Sequence, residues 1–249
     1  MGDRATVREM DLGRMTTTVA VDRTASQGHL SGLRSRSAMY PASSGVFRVR
    51  AGFVPATQAS PTTERLIRGL DVVGSLAGLV LASPVILLTA ILIRITAGKP
   101  VFFCQERVGL RGRSFTLYKF RTMINEAEKH VGPVWASRND SRVTPIGRIL
   151  RKMRFDELPQ LYNVLRGDMS LVGPRPERPY FVERHKTLQG VRLAVKPGLT
   201  GLAQIRGLYD LKPAHKVKYD CLYIQKRCLL LNLYILLRTI PALFSRMGW

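Results

Sequence analysis

Apolar and polar positions divide the chain into one long uninterrupted apolar run and a remainder of short periods. The run, VVGSLAGLVLASPVILLTAILI, occupies positions 72–93 and contains no charge. Its 22 residues match the roughly 20 that a helix needs to cross a bilayer's hydrocarbon core. Two details bear on its course. Ser83 and Pro84 stand at its middle, where a proline removes a backbone hydrogen bond and clashes with the preceding turn. Arg65 and Arg68 precede the run and Arg94 and Lys99 follow it, and basic flanks favour the cytoplasmic side. A helix that enters, breaks at Ser83-Pro84 and returns satisfies both, with the Ser83 hydroxyl helping to satisfy freed backbone groups. On composition alone, a kinked span fits equally well.

Beyond Lys99 no stretch reaches transmembrane length. Residues 101–103 and 115–120 read as short strands separated by a Gly/Arg turn at 109–113. A short polar helix is expected at 126–130. Residues 145–154 read as a helix, with Ile146, Ile149, Leu150 and Met153 spaced i, i+3, i+4, i+7 and Arg148, Arg151, Lys152 and Arg154 filling the rest. A second helix follows Asp156. Pro197 and Gly198 punctuate a loop before a long C-terminal segment at 214–245. Within it the apolar stretch 229–237 is only nine residues long and is interrupted by Asn232. That suits an amphipathic helix at an interface, or nearly as well a helix packed in the core. No internal repeat is present.

Charge changes the picture most. Among 249 residues, 39 Lys and Arg face 17 Asp and Glu, a net charge of +22. Partners of such a chain are polyanions: nucleic acid, an anionic membrane surface or phosphorylated substrates. With 45% apolar residues, wholesale disorder is excluded. Residues 1–63 carry eight Arg, four acids and no Lys, a net +4, amid Thr, Ser, Gly and Ala. They read as a flexible polar tail, with no apolar h-region of a secretory signal and only a weak likeness to a transit peptide. The other +18 lies in residues 64–249. Cys104, Cys221 and Cys228 are too few and scattered for a disulfide framework or a zinc site, which suggests a reducing, cytosol-facing setting. His29, His130, His185 and His215 have no metal-ligand spacing. No GxGxxG, Walker or zinc-finger pattern occurs.

Two constellations can carry chemistry. In RFDELPQL, Asp156 and Glu157 follow a cationic helix and precede an apolar-periodic one. Asp is a favoured N-cap and Pro159 is tolerated in a first turn, so the pair is expected at a helix N-terminus, where anions are favoured. Arg151 and Arg154 should keep an Asp ionised and nucleophilic. Adjacent helical residues point about 100° apart, so one carboxylate can face a phosphorus while the other holds Mg²⁺, which takes one or two carboxylates plus substrate phosphates. The same residues would equally serve as a capping pair bridged to Arg151 and Arg154. In GDMSLVGPRP, Pro174 and Pro176 stiffen the backbone around Arg175 and fix a planar guanidinium suited to phosphate; a surface turn is the alternative. Lys119 and Arg121 alternate with Tyr118 and Phe120. On a strand the two cations would share a face, able to line an anion site or simply to meet solvent.

Four segments in order, SPVILLTAILI, KPVFFCQERVGLRGRSFTLYKFRTM, DSRVTPIGRILRKMRFDELPQLYNVLRGDMSLVGPRPE and VKPGLTGLAQIRG, closely resemble bacterial sugar transferases. These are the monotopic polyprenyl-phosphate phosphoglycosyltransferases that begin glycan and exopolysaccharide assembly. The resemblance covers roughly residues 65–240, and DELPQLYNVLRGDMSLVGPRP is its most specific part. It implies transfer of a sugar 1-phosphate from a nucleotide sugar, usually a uridine one, to a polyprenyl (undecaprenyl) phosphate. Asp156 would attack the sugar-bearing phosphate and Glu157 would ligate Mg²⁺ (or Mn²⁺). Arg151 and Arg175 would clamp phosphates, with Lys119 and Arg121 near the cleft. The implied fold is α+β: a tail at 1–63, a re-entrant membrane helix at 64–98 broken at Ser83-Pro84, and a catalytic domain at 99–249 with interfacial helices. It also implies a place on the cytoplasmic face of the bacterial inner membrane, among anionic lipids, with a homodimer allowed and no nucleic acid partner.

Some positions depart from the family's usual pattern. Arg154 and Phe155 replace a small residue and Leu, and Leu202 a frequent Trp. Gly207-Leu208-Tyr209-Asp210 replaces a GRN-like loop, and Asn232 a frequent Asp. Residues 1–63 are polar where larger members carry four membrane helices. These departures bear on donor identity. A basic nucleic-acid-binding protein and a non-catalytic membrane scaffold are the rivals. The absence of a recognition motif weighs against the first, the intact Asp156-Glu157 pair and Arg175 against the second.

Overall fold

A computed structural model describes residues 59–129, 132, 134, 140–206 and 213–244. The tail up to residue 58, His29, His130, the 207–210 loop and the side chain of His215 lie outside the described residues. The architecture mixes helices with two small two-stranded sheets.

Helix α1 runs from Pro61 to Thr96. Ser60 caps it, its Oγ accepting from Thr63 N at 3.2 Å, and Pro61 at the first position is preorganised for helix. Between Val72 and Ile93 the helix carries no charge on any side, yet only one face meets the rest of the molecule. Ile67, Asp71 and Ser75 are buried before the proline and Thr89 and Ile93 after it, with no fully buried position between Ser75 and Thr89. Outward, Leu81 is 80% and Ile95 75% exposed. The helix is long and apolar enough to cross a membrane, and a helix apolar all round belongs in an apolar medium. Helical structure continues through Ser83-Pro84, where a break was expected. Ser83 Oγ donates to Val80 O at 2.8 Å, satisfying a carbonyl in the turn that Pro84 disturbs.

Polar contacts fasten both ends of α1. Near its start, Arg68 donates to Val164 O and Leu165 O, each at 2.7 Å. Asp71 accepts from Ser170 Oγ at 2.9 Å and Leu171 N at 2.8 Å. Past its end, Arg121 donates to Lys99 O at 2.6 Å and Gly98 O at 2.9 Å, and also to Ala97 O and Asn125 Oδ1.

Strands β1 (Phe102–Val108) and β2 (Ser114–Phe120) form an antiparallel hairpin, pairing Phe102 with Phe120 and Val108 with Ser114. The chain reverses at the expected Gly/Arg turn, where Arg111 and Gly112 adopt positive φ. Helix α2 (Pro145–Lys152) is capped by Thr144, whose Oγ1 accepts from Gly147 N at 3.0 Å. Of its expected apolar face only Leu150 is buried, while Ile149 and Met153 point outward. Helix α3 (Gln160–Arg166) ends at Gly167, φ 92°, a left-handed stop that favours glycine. Strand β3 (Ser170–Val172) pairs in parallel with β4 (Gly198–Thr200). Helices α4 (Pro179–Arg184) and α5 (Leu202–Ile205) are short. The C-terminal segment forms two helices, α6 (Pro213–Gln225) and α7 (Leu229–Phe244). Helix α7 buries Ile235 and Asn232 but leaves Leu230, Leu237 and Ile240 exposed.

Where part of a short polar helix was expected at 126–130, residues 126–129 form a turn, with Glu126 at φ 56°; His130 lies outside the described residues. A short polar segment does not repay helix nucleation without an apolar face to bury.

The main core joins Leu117 of β2, Leu161 and Val164 of α3, Leu171 and Val172 of β3, and Tyr223 and Ile235 of the C-terminal helices; Leu70 and Leu79 of α1 pack on it. A second cluster sets Ile93 of α1 against Phe120 and Leu150. Asn163 ties these layers together. Its Nδ2 donates to Thr116 O at 2.7 Å and its Oδ1 accepts from Tyr118 N at 3.1 Å. The side chain thus pairs with the open edge of β2 as another strand would, fixing α3 and the turn before it against Lys119.

Candidate active site

The dyad sits on the 3₁₀ turn Phe155–Glu157, between α2 and α3. It was expected as the cap of the following helix; the cap position belongs to Pro159, and the turn has no side-chain cap bond. The turn is set up by Arg154, which follows α2 in the left-handed region at φ 59°, ψ 16°. Such a conformation is uncommon for a residue with a Cβ. It reverses the chain sharply enough to carry Asp156 and Glu157 inward, where they are only 7% and 9% exposed.

Cations converge on Glu157. Arg175 Nη2 approaches Oε1 at 2.6 Å and Nη1 approaches Oε2 at 3.5 Å. Lys119 Nζ lies 3.1 Å from Oε1, and Arg154 Nη1 lies 4.0 Å from it. Arg151 reaches the site from α2, its Nε donating to Thr122 Oγ1 at 2.9 Å and its charge acting on Asp156.

The two carboxylates shift in opposite directions. Burial alone would raise Glu157, but Arg175 and Lys119, with the Arg175 hydrogen bond and Arg154, hold it well below the usual carboxylate range. Burial raises Asp156, and the neighbouring Glu157 charge adds to this, against the attraction of Lys119, Arg151 and Arg175. The nearby cations expected to keep Asp156 ionised do pull its pKa down, but desolvation works against them and the net direction is upward. The consequence is a division of labour. Glu157 stays anionic and organises the cations; Asp156 holds its proton more tightly and, once ionised, is the more basic and nucleophilic group. Burial also lowers Lys119, with Arg175 and Arg107 adding to this against Glu157 and Asp156.

Asp156, Glu157, Lys119, Arg151 and Arg175 are thus brought together. Arg121 is not. It lies one residue past β2, where its guanidinium turns to the carbonyls that end α1, so its expected place in the cleft is corrected to a structural one. Ser83 and Pro84 lie within α1, and the three cysteines are free thiols.

Arg154 was expected as a cation beside the dyad; that it also shapes the turn was not. Two further arginines were missed. Arg107 is half-buried, and its desolvation, with Arg175 and Arg178 nearby, lowers its pKa to about 10. Arg192 donates to Arg175 O at 2.8 Å. A usable signal was present in Pro174-Arg175-Pro176: two residues without N–H leave carbonyls that need donors from elsewhere.

Residues 62–246 match the model of the bacterial sugar transferase family. The chain is 40% identical over 195 residues to the Aeromonas hydrophila UDP-N-acetylgalactosamine-undecaprenyl-phosphate N-acetylgalactosaminephosphotransferase, which covers 76% of this chain and 46% of that protein. It is 39% identical to the exopolysaccharide production protein ExoY of Rhizobium meliloti over 73% of this chain and 86% of that protein. It is 43% identical to the Caulobacter vibrioides UDP-glucose:undecaprenyl-phosphate glucose-1-phosphate transferase over 72% of this chain and 69% of that protein. The chain therefore spans about half the length of the first of these and most of the other two. With the dyad and its cations in one cluster, and a match over most of its length, the chain belongs to the bacterial sugar transferase family.

Proposed function

We propose that this protein transfers a sugar 1-phosphate from a UDP-sugar to undecaprenyl phosphate through a covalent intermediate on Asp156. The observation that carries this is the geometry of the dyad: a buried Asp156 beside a Glu157 clamped by Arg175 and Lys119. The relatives' names supply the donor and acceptor classes. In the first step an Asp156 Oδ attacks the sugar-bearing phosphorus. An Oδ–P bond forms, the P–O bond to the inner phosphate breaks, and its electron pair leaves with UMP. In the second step a phosphate oxygen of the polyprenyl phosphate attacks the same phosphorus, and the Oδ–P bond breaks to regenerate the Asp156 carboxylate. Lys119, Arg151 and Arg175 place fixed positive charge where the diphosphate accumulates negative charge.

The residues present suit a divalent cation. Glu157 Oε2 meets Arg175 Nη1 only at 3.5 Å, and one or two carboxylates plus substrate phosphates are the usual Mg²⁺ set. Glu157 would hold Mg²⁺ or Mn²⁺, which supplies charge neutralisation at the phosphates. Among the described residues no cluster of three or more His, Cys, Asp or Glu forms a self-sufficient metal site.

The membrane course we propose for α1 is re-entrant, turning at Ser83-Pro84, with both arms returning to the cytoplasmic face. It is supported by the buried positions on each side of the proline and the exposed stretch between; a proline kinks a helix without having to end it. Exposed leucines of α7 would lie in the same interface, and basic residues would meet anionic headgroups at about 1 kcal/mol each.

Purified protein supplied with undecaprenyl phosphate, Mg²⁺ and a panel of UDP-sugars should release UMP with one or a few of them. Without acceptor, acid quenching should trap radiolabelled phosphosugar on the protein. No UMP from any nucleotide sugar tried would sink the reaction. Accessibility tags at both termini should report the same, cytoplasmic side; opposite sides would sink the re-entrant course.

A further inference from the structure

The loop carrying Arg175 is suspended by its carbonyls. Pro174 and Pro176 have no N–H, so the segment cannot build a ladder of its own. Four consecutive carbonyls instead accept from four different places: Pro174 O from Gly198 N at 2.9 Å, Arg175 O from Arg192 Nη2 at 2.8 Å, Pro176 O from Arg107 Nη1 at 3.0 Å and Glu177 O from Val108 N at 2.9 Å. Two of these donors are backbone groups of strands. The other two are arginine side chains, and Arg192 acts on Arg175 itself.

Arg192 sits on a 3₁₀ turn, Gly190–Ala194, and is buried. Its Nε donates to Asp220 Oδ2 of α6 at 2.7 Å, and Asp220 is buried as well. One guanidinium thus spans a carboxylate and a carbonyl. A buried ion pair is often no more stabilising than apolar residues of the same volume, so stability alone does not account for it. Its geometric effect is definite: Asp220 orients the guanidinium fork, and the fork fixes the backbone of the residue whose own fork holds Glu157. Arg175, Glu177, Arg192, Gln204, Lys216 and Asp220 line a cleft at this place, so a shift of the Arg175 backbone alters the wall of that cleft.

We propose that Arg192, oriented by Asp220, is a positioning residue that sets Arg175 for its work on Glu157 and the donor diphosphate. This role rests on the sugar-phosphate transfer proposed above. Arg192 acts through Arg175 and not by touching the reacting atoms.

The test uses the full chain in lipid nanodiscs under single-turnover conditions, with wild type, R192K, R175K and the double variant side by side. Lysine keeps a charge near Asp220, but one ammonium cannot stand at both the Nε and the Nη2 positions. R192K should lower donor kcat/KM by about tenfold to a hundredfold, the scale of a small misplacement in an active site. The KM for polyprenyl phosphate should stay unchanged and the thermal midpoint should stay close to wild type. In the R175K background the second change should add less than about twofold, because both act through one group. Wild-type behaviour of R192K, or penalties that multiply with R175K, overturns the role. Should R192K fail to fold, D220N, which keeps the volume and an acceptor, should give a smaller loss with the same non-multiplying pattern; a multiplying loss overturns the role equally. A wild type that releases no UMP sinks the transfer reaction and this role together, whereas wild-type turnover with multiplying penalties sinks the role alone.

Discussion

The dyad turn and the arginine loop meet at Glu157, but they are held by different means. The dyad turn is local: α2 is followed by a left-handed residue, Arg154, and two and three residues later Asp156 and Glu157 are inside. The arginine loop is held from afar, by donors from β1, β4 and the turn at Gly190–Ala194. The first holds a strained backbone residue and two adjacent carboxylates with opposed shifts; the second derives its rigidity from four satisfied carbonyls. Strain marks the side that reacts, and satisfied backbone carbonyls mark the side that clamps.

Asp156→Asn tests the reactive side and carries the largest expected effect. Loss of a nucleophile should reduce turnover on the order of 10⁴-fold or more. The same change should stabilise the fold. An acid whose folded pKa is raised binds its proton more tightly folded than unfolded, so its ionisation weakens folding as pH rises past the unfolded value, and Asp156 is raised by burial. Removing that charge should therefore raise the Tm at neutral pH. The wild-type rate should in turn fall on acidification from above the ordinary Asp value of about 3.9. A fall in the Tm of Asp156→Asn would contradict the assigned direction.

Glu157→Gln should do the reverse. The carboxylate is lowered by Arg175 and Lys119, so its stabilisation is present above the unfolded pKa and is lost as pH falls through the folded one. Gln leaves those cations facing one another in a buried site, and breaking a buried pair costs about 3–5 kcal/mol. Thermal unfolding of the single variant should show that loss, and adding Lys119→Met should recover part of it. Adjacent carboxylates with opposite effects on stability would establish that the turn sorts them. Equal effects would collapse the distinction.

Legibility in the sequence follows the same divide. The hairpin, its Gly/Arg turn, helix α2 and the closeness of Asp156 to Arg151 all rest on contacts within a few residues, and periodicity and turn chemistry report those. Asn163 on the edge of β2, Arg107 on Pro176 and Arg192 on Asp220 join residues 28 to 69 apart and have no periodic trace. Lys119 and Arg121 were indistinguishable as a cationic pair on a strand. What separates them is that β2 ends between them, at Phe120, beside the last carbonyls of α1. The sequence likewise carried the apolar run of α1 in full view, but not that Arg68 and Asp71 bind it to α3 and β3.

Gly198→Ala tests the clamping side. A Cβ there would sit 2.0 Å from Gly173 N and 2.5 Å from Thr200 O, where backbone meets backbone and no side chain can yield. Overpacking of this kind costs about 1–3 kcal/mol. Because Gly198 N also holds Pro174 O, the displaced strand should carry the arginine loop with it. Donor KM should rise while unfolding remains cooperative. A variant that loses stability with unchanged kinetics would mean the loop does not depend on β4.

Arg154→Gly makes the smallest change and addresses the strain directly. Glycine reaches φ near 59° without the Cβ clash, a relief of about 1–2 kcal/mol, offset by roughly 0.5–1 kcal/mol of unfolded-chain entropy. The lost ion pair to Glu157, 4.0 Å long, weighs little beside the 2.6 Å contact from Arg175. A net gain of about 0.5 kcal/mol should appear as a Tm increase of roughly 1–2 °C. Arg154→Lys, which keeps both the charge and the Cβ, should leave Tm near wild type. If Arg154→Gly instead destabilises the protein, the charge outweighs the strain, and Arg154 belongs with the cations that lower Glu157 more than with the backbone that turns it inward.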